Sequence, residues 1–400
     1  MPAPPNEPAE PLTREDAAFS RRMLHLAARH AWRAQGEVEP NPLVGCVIAR
    51  GAEILGIGHH RRFGDLHAER DALRSCARQG HDPRGATAYV TLEPCCHTGK
   101  QPPCTEALIE AGIARVVCAR PDPHEISAGG AGVLRDAGIE CIFLRGVAEA
   151  EALAEPFLTR LDTRLPWVIA MWAQTLDGRV ATRTGASQWI SSERSRGRVH
   201  RLRAQVDAIL TGMGTVIADD PMLTARGVRR LRRRALRVVV DPLLDIDPGR
   251  ALIRTAREHP TVVACAKEMA TAQIALGKRQ RLEDAGVEIM GVPTSLEGRL
   301  DLRLLLEALH ERRGVSSVLV EAGGGMLGSL FRAGLVDEAV VYVAPLVLGD
   351  EQARGVAVGH VAPQLADGTR MELRGLKRLG DDLELRYRRG GGQQAKGNGQ

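Results

Sequence analysis

The stretch ATAYVTLEPCCHTGKQPPCTEALIEAG, residues 86–112, reads as strand, loop and helix in one continuous run. ATAYVTLE (86–93) has the β-branched and aromatic character of a short strand, and CTEALIEAG (104–112) has helical spacing closed by glycine. The same alternation extends in both directions. Upstream, Thr13 with Asp16 resembles a capping box opening a helix through about Ala34, with Phe19, Met23, Leu26 and Ala27 at helical spacing. LVGCVIA (43–49) and EILGIGHH (53–60), separated by Arg50-Gly51-Ala52, predict a hairpin, and HAERDALRSCARQG (67–80) predicts a helix. Downstream come the strand RVVCAR (115–120), a further helix and the strand IECIFL (139–144). Strands alternating with helices predict an α/β layer whose second half is largely parallel.

A helical segment from about Val147 to Asp162 ends before Pro166, and WVIAMWAQ starts a new strand-rich segment. The expected organisation is therefore a tail over 1–14, a first domain over 15–146, a connecting helix over 147–165, a second domain over 166–389 and a glycine-rich tail over 390–400. The second domain again alternates, through DAILTGMGTV, LRVVVD, PTVVACA, VEIMGV, SVLVEAGGG and EAVVYVAPLVLG.

Composition narrows the class. Four hundred residues at 44% apolar and 26% charged suit two or three hydrophobic cores. No run of eighteen apolar residues occurs, and MPAPPNEPAEPLTRED lacks the basic start and apolar block of a secretory signal, so a cytoplasmic protein without a membrane partner is expected. The net charge of +5 comes mostly from arginine, and the densest basic run, RRLRRR (229–234), reads as a solvated loop. An RNA-binding reading would need stacking platforms, and aromatics make up only 3% of the chain, so no nucleic-acid partner is expected. Five of the eight cysteines (Cys46, Cys76, Cys118, Cys141, Cys265) stand singly in apolar or helical segments and read as buried thiols. Cys95, Cys96 and Cys104 are the exception.

Glu93-Pro94-Cys95 closes the strand of the quoted run, Cys104 opens its helix, and His67-Ala68-Glu69 opens another helix upstream. One histidine and two thiolates form the ligand set of zinc deaminases, which keep the fourth position for water and use a nearby glutamate to carry protons. His67, Cys95 and Cys104 are therefore the expected Zn2+ ligands and Glu69 the expected catalytic proton carrier. Helix N-termini favour thiolate over thiol, and zinc brings the pKa of a bound water toward neutrality for attack on an amidine carbon. Cys96 and His97 are rival ligands: a Cys95-Cys96 pair would strain the backbone, and His97 would close the catalytic position. His97 lining a pocket and His97 in solvent both remain open. A purely structural zinc site leaves His-x-Glu without a reason. Deaminases of nucleic acids carry Pro-Cys-x-x-Cys, whereas here HTGKQPP (97–103) intervenes, a long loop suited to lining a pocket for a small heterocycle.

At these residues the chain resembles the bifunctional deaminase/reductase family of riboflavin biosynthesis. NPLVGCVI (41–48), GDLHAE (64–69), ATAYVTLEPC and HTGKQPPCTEALI carry the likeness in the first half. TLDGRVA, GASQWI, LRAQVDAILTGMGTVIADDPMLTAR and VEAGGGMLGSLFRAGLVDE carry it in the second, and it spans about residues 18–388. The resemblance implies an α/β chain with an N-terminal cytidine-deaminase-like three-layer domain and a C-terminal dihydrofolate-reductase-like domain. It implies hydrolytic deamination of a diamino-ribosylaminopyrimidinone 5′-phosphate, then NADPH-dependent reduction of its ribosyl group to ribityl, in a homo-oligomer. Asn41, His60 and Lys100 would bind the pyrimidine in the first site. Ala173, Trp189, Thr215, Asp219 and the turn Gly323, Gly324, Gly325, Met326, Leu327, Gly328, Ser329 would contact NADPH. Ser187, Arg203, Leu223, Arg226 and Glu321 would contact the second substrate.

Several positions depart from the family pattern. Met171 stands where many relatives carry lysine, Pro242 where they carry serine, Asp122-Pro123-His124-Glu125 where they read Asp-Pro-Asn-Pro, and Leu66 where proline precedes the histidine. A second reading follows from Met171 and Pro242, in which only the deaminase half works. Gly323, Gly325 and Gly328 satisfy G-x-G-x-x-G, but without the acidic residue and spacing of a Rossmann unit. Bare backbone at a helix N-terminus still suits a pyrophosphate; the plainer reading is tight packing. Asp177 reads either as functional or as a turn residue.

Overall fold

A computed structural model describes residues 13–390 apart from Lys100, Pro123, Glu125, Ile126, Ser127, Arg230, Leu296, Glu297, His360 and Val361. Most of the two expected tails lies outside these residues. The described chain forms two compact units, divided between Thr163 and Arg164. Both are α/β.

The first unit is a five-stranded sheet with helices on both faces. Its strands are β1 (Gly45–Arg50), β2 (Glu53–His59), β3 (Thr87–Val90), β4 (Arg115–Cys118) and β5 (Glu140–Phe143), in the order β2-β1-β3-β4-β5. β2, β1 and β3 pair antiparallel, while β3, β4 and β5 run parallel as expected. Its helices are α1 (Arg14–Ala31), α2 (Ala68–Arg78), α3 (Cys104–Glu110), α4 (Gly130–Asp136), α5 (Ala148–Glu151) and α6 (Glu155–Thr163). Alternation along the strands sorts two cores. Cys46, Ile48, Ala88, Val90, Val116 and Cys118 face Ala68, Ala72 and Cys76 of α2, Leu108 of α3 and Leu134 of α4. Val47, Ala49, Tyr89 and Val117 face Met23, Leu24, Ala27 and Ala28 of α1. The five cysteines read as packing residues are all buried.

Local details carry this arrangement. Thr13 accepts the Asp16 N–H as a cap, but its hydroxyl also donates to the Asp16 carboxylate at 2.8 Å. Gly58 lets α2 lie close on β2, since a Cβ there would stand 2.1 Å from the Ala72 nitrogen. The single helix expected over 147–162 is two helices, α5 and α6, broken at 152–154. Pro156 explains the break: it has no N–H to donate to the Ala152 carbonyl, and its ring would collide with it.

The second unit is built on a nine-stranded sheet, β11-β10-β9-β8-β12-β6-β13-β16-β15. In chain order its strands are β6 (Trp167–Gln174), β8 (Ala208–Gly212), β9 (Leu236–Val240), β10 (Thr261–Ala266), β11 (Glu288–Val292), β12 (Ser317–Val320), β13 (Glu338–Val343), β15 (Met371–Leu379) and β16 (Asp382–Arg389). β7 (Arg179–Ala181) and β14 (Arg354–Gly355) form a separate pair. From β11 to β13 every neighbour is parallel, and β13, β16 and β15 pair antiparallel. Helices α7 (Glu193–Arg203) and α8 (Met213–Asp219) and the helix Ala251–Arg254 pack on one face, through Leu202, Val216 and Leu252. The helices Leu302–Arg313 and Gly324–Arg332 cover the other, through Leu305, Leu309, Leu327 and Leu330. The apolar runs on β8, β9, β10 and β12 suit strands buried on both faces.

Two strands of the nine-stranded sheet, β15 and β16, have no counterpart in the expected elements, nor does the separate pair of β7 and β14. The sequence of β15 and β16, MELRGLKRL and DLELRYRR, is dense in charge. The charges on β16 are neutralised across the sheet: Arg198 of α7 grips Glu384 through bonds of 2.7 and 2.8 Å, Arg386 joins Glu384 to Glu338, and Arg388 lies 3.4 Å from Glu338. Among the described residues no helix is long and apolar enough to cross a membrane.

Candidate active sites

In the first unit, the turn before α2 and the loop between β3 and α3 bring His67, Cys95 and Cys104 together. The Cys95 and Cys104 sulfurs lie 3.5 and 3.4 Å from His67 Nδ1, and the three donor atoms all lie within 4.8 Å of one another. Backbone bonds hold the two cysteines together, because the Cys95 carbonyl accepts the N–H groups of Cys104 and Thr105 at the start of α3. The donor set fits zinc. Ordinary Zn–S and Zn–N bonds give a tetrahedral edge of roughly 3.6 Å. Charge points the same way. With protons alone to balance the site, hydrogen bonds from the Cys104 side chain, from His67 and from the Cys104 N–H bring the Cys95 thiol down to about 4, while the bond between the two sulfurs, with burial, pushes Cys104 well up. One thiolate thus shares the proton of its neighbour, and a cation is what would let both sulfurs ionise.

Glu69, 3% exposed, lies just inside α2 and lines the same cavity as His67 and Cys95, a space of about 270 Å³. Burial, and then the Cys95 sulfur, push its carboxyl above the ordinary glutamate value. Asn41 and His60 line the cavity as well. His60 Nδ1 is 3.0 Å from the Leu66 carbonyl, which it can meet only as a donor, so its Nε2 accepts from the Asn41 side-chain amide at 3.3 Å. Burial lowers the His60 pKa, in keeping with this neutral tautomer. Lys100 lies outside the described residues.

Neither rival ligand joins the cluster, which among the described residues is the only group of three or more His, Cys, Asp or Glu with converging donor atoms. The Cys96 sulfur donates instead to the Ala128 carbonyl at 3.1 Å, fastening the loop before α4. His97 lines the cavity, with Nδ1 buried and unpartnered. Glu93 is buried and braces the far side, its two oxygens accepting the N–H groups of Asp122 and Ala131. Sequence reasoning missed His124 and Phe157, which also line the cavity. Phe157 falls in a segment read as a connector, so no local pattern marked it.

In the second unit, topology gathers most of the candidate residues at one edge of the sheet. β8, β12 and β6 are parallel neighbours, and Thr215 and Asp219 follow β8, Gly323 to Ser329 follow β12, and Ala173 lies near the end of β6. Ligands of open parallel sheets bind at this carboxyl edge. Trp189 is 68% exposed, with the Arg196 guanidinium 4.5 Å from its ring centroid and a cis peptide bond before it. Gln188 donates to Asp219 at 3.2 Å, tying the loop of Ser187 and Trp189 to α8. Arg203 makes a paired contact of 2.7 and 2.6 Å with Glu321 and also donates to the Thr224 carbonyl, so both residues hold each other and the loop bearing Leu223 and Arg226. Leu223 is buried with φ 48°, and Arg226 is exposed.

The glycine turn divides by role. Gly323 and Gly325 face open space, which fits backbone left bare for an anion. Gly328 instead meets the strap 353–359, where an added Cβ would stand 2.0 Å from the Val358 carbonyl oxygen. Asp177 is a turn residue: it accepts the N–H groups of Leu348 and Gly349, and hydrogen bonds from Thr175 and Gly349 hold its carboxyl at about 2. Met171 is buried in the core with Leu202 and Val340, and so packs as an ordinary apolar residue.

This combination defines a metal-centred deaminase fold joined to a reductase-type α/β fold. Residues 18–120 match the cytidine and deoxycytidylate deaminase zinc-binding region, and residues 166–385 match the RibD C-terminal domain. The riboflavin biosynthesis protein RibD of Escherichia coli K12 is 39% identical over 383 residues, covering 93% of this chain and 98% of that protein. That of Actinobacillus pleuropneumoniae is 37% identical over 376 residues, covering 94% and 96%. The solved structure of Acinetobacter baumannii RibD superposes with a TM-score of 0.75 at 33% identity, covering 93% of this chain and 99% of that one. A Thermotoga maritima structure, described as a diaminohydroxyphosphoribosylaminopyrimidine deaminase/5-amino-6-(5-phosphoribosylamino)uracil reductase, gives 0.75 at 30% identity with the same coverage. The chain belongs to the RibD family of riboflavin biosynthesis proteins.

Proposed function

We propose that this chain carries out two successive steps of riboflavin biosynthesis: hydrolytic deamination of 2,5-diamino-6-ribosylamino-4(3H)-pyrimidinone 5′-phosphate, then NADPH-dependent reduction of the ribosyl group to ribityl. The observation that carries the reading is the meeting of His67, Cys95 and Cys104 in one cavity with the buried carboxyl of Glu69. His67 Nδ1 and the two sulfurs would hold zinc, which supplies Lewis acidity and makes water a nucleophile near neutral pH. Glu69 is not among the ligands. Its raised pKa suits a group that accepts a proton from water and returns it to the departing amine. Asn41 and neutral His60 present fixed polar groups to the pyrimidine from the same wall. The family resemblance would add Lys100 to these substrate contacts.

In the second unit, Gly323 to Ser329, with Ala173, Thr215, Asp219 and Trp189, would hold NADPH, which supplies the hydride. Arg203 acts through Glu321 and Thr224, holding the loop of Leu223 and Arg226, while Ser187 and Arg226 meet the substrate. Supplied with the pyrimidine, zinc-loaded protein should release ammonia and then oxidise NADPH in equal amount. No ammonia would sink the first step, and ammonia without NADPH oxidation would favour the reading in which only the deaminase works.

A further inference from the structure

We propose that Phe157, on the helix between the two halves of the sequence, is a substrate-binding residue of the first site, its ring packing against the planar heterocycle. This rests on the deaminase reading above. α6 begins beyond the last strand of the five-stranded sheet, yet Phe157 lines the cavity that holds His67, Glu69 and Cys95. The helix is anchored on the residues around that cavity. Leu158, 8% exposed, packs with Leu92 and Ala154 in a small core of its own, and Leu92 is itself a cavity wall. Arg160 donates to the Pro40 carbonyl, beside Asn41, and its guanidinium carbon lies 5.3 Å from the Phe157 ring centroid. The ring is thus fixed between α6 and the Asn41 turn, and the His124 ring stands 6.1 Å away, tilted by 57°.

The placement has a chemical consequence. Glu69 and Asn41 select the hydrogen-bonding edge of a ring, but they offer nothing to its face. An aromatic wall does, because offset or edge-on packing of aromatic rings adds to the gain from area alone. Leu158 is a buried member of that small core, whereas Phe157 is a partly buried residue packed against it that also faces the cavity, so substitution at the two positions weights core and binding differently.

Phe157→Leu should raise KM for ammonia release about tenfold, the factor for losing one such ring contact, with kcat, zinc content and thermal stability near those of the parent. Leu158→Ala should chiefly lower thermal stability, with a smaller rise in KM than Phe157→Leu gives. Phe157→Tyr should restore affinity. Titration of the pyrimidine phosphate into Glu69→Gln protein reads binding without turnover, and there Phe157→Leu should weaken Kd by the same factor. An unchanged Kd in Phe157→Leu, or an equal loss in Leu158→Ala, would overturn the assignment. Failure of the deaminase reading would show separately, as wild-type protein that binds the pyrimidine through Phe157 but releases no ammonia.

Discussion

At the residue scale, the division between metal ligand and proton carrier makes the sharpest expectations. Glu69 borders the cluster without being one of its three converging donors, so Glu69→Gln should retain zinc at one per chain while ammonia release falls by at least about a hundredfold, the lower range for loss of a general acid–base. Metal analysis beside the ammonia assay checks both halves. Cys96 binds the Ala128 carbonyl instead of the cluster. Cys96→Ser should therefore keep zinc near wild type, whereas Cys95→Ser or Cys104→Ser should lose it. That these residues meet was legible because deaminase chemistry needs particular side chains at particular spacings, and His67-x-Glu69 with Cys95 and Cys104 meets that need. What the sequence left open at this scale, whether His97 lines the pocket or lies in solvent, depends on which way the loop after Cys96 turns. The part played by Asp177 depended on Leu348 and Gly349, far away in sequence.

At the scale of elements, the hairpin of β1 and β2, helix α2 and the β3-loop-α3 run followed from periodicity, since each buries a face its own residues define. β15 and β16 escaped because their charges are paired by partners distant in sequence. Glu384 shows how strongly. Burial alone would raise its pKa, but hydrogen bonds and charge from Arg198 and Arg386 bring it down to about 2. A carboxylate depressed in this way stabilises the fold fully above its unfolded value, about 4.3, and loses that contribution as pH falls toward 2. Arg198→Ala should accordingly cost about 3 kcal/mol at pH 7, and the difference from wild type should shrink steadily below about pH 4.3. Hydrogen-exchange protection of β13 and β16, followed against pH, measures this without requiring the whole chain to unfold in one step. A difference that held constant down to pH 2 would contradict the ion-pair explanation.

At the scale of the whole molecule, two α/β units, each matching its own family region, place two chemistries on one chain. Alternating strands and helices announced both. The split of the connecting segment at Pro156 and the inclusion of Phe157 in the first cavity did not show, because helical periodicity says which face is apolar and not what it packs against. The reading of both sites begins from the metal centre, since the second reaction consumes what the first produces. X-ray absorption at the zinc edge of the wild-type protein tests that centre most directly. Two sulfurs at about 2.3 Å with two lighter atoms at about 2.0–2.1 Å, one of them exchangeable, is the expected shell. Three sulfurs, or four protein donors with no exchangeable position, would contradict it.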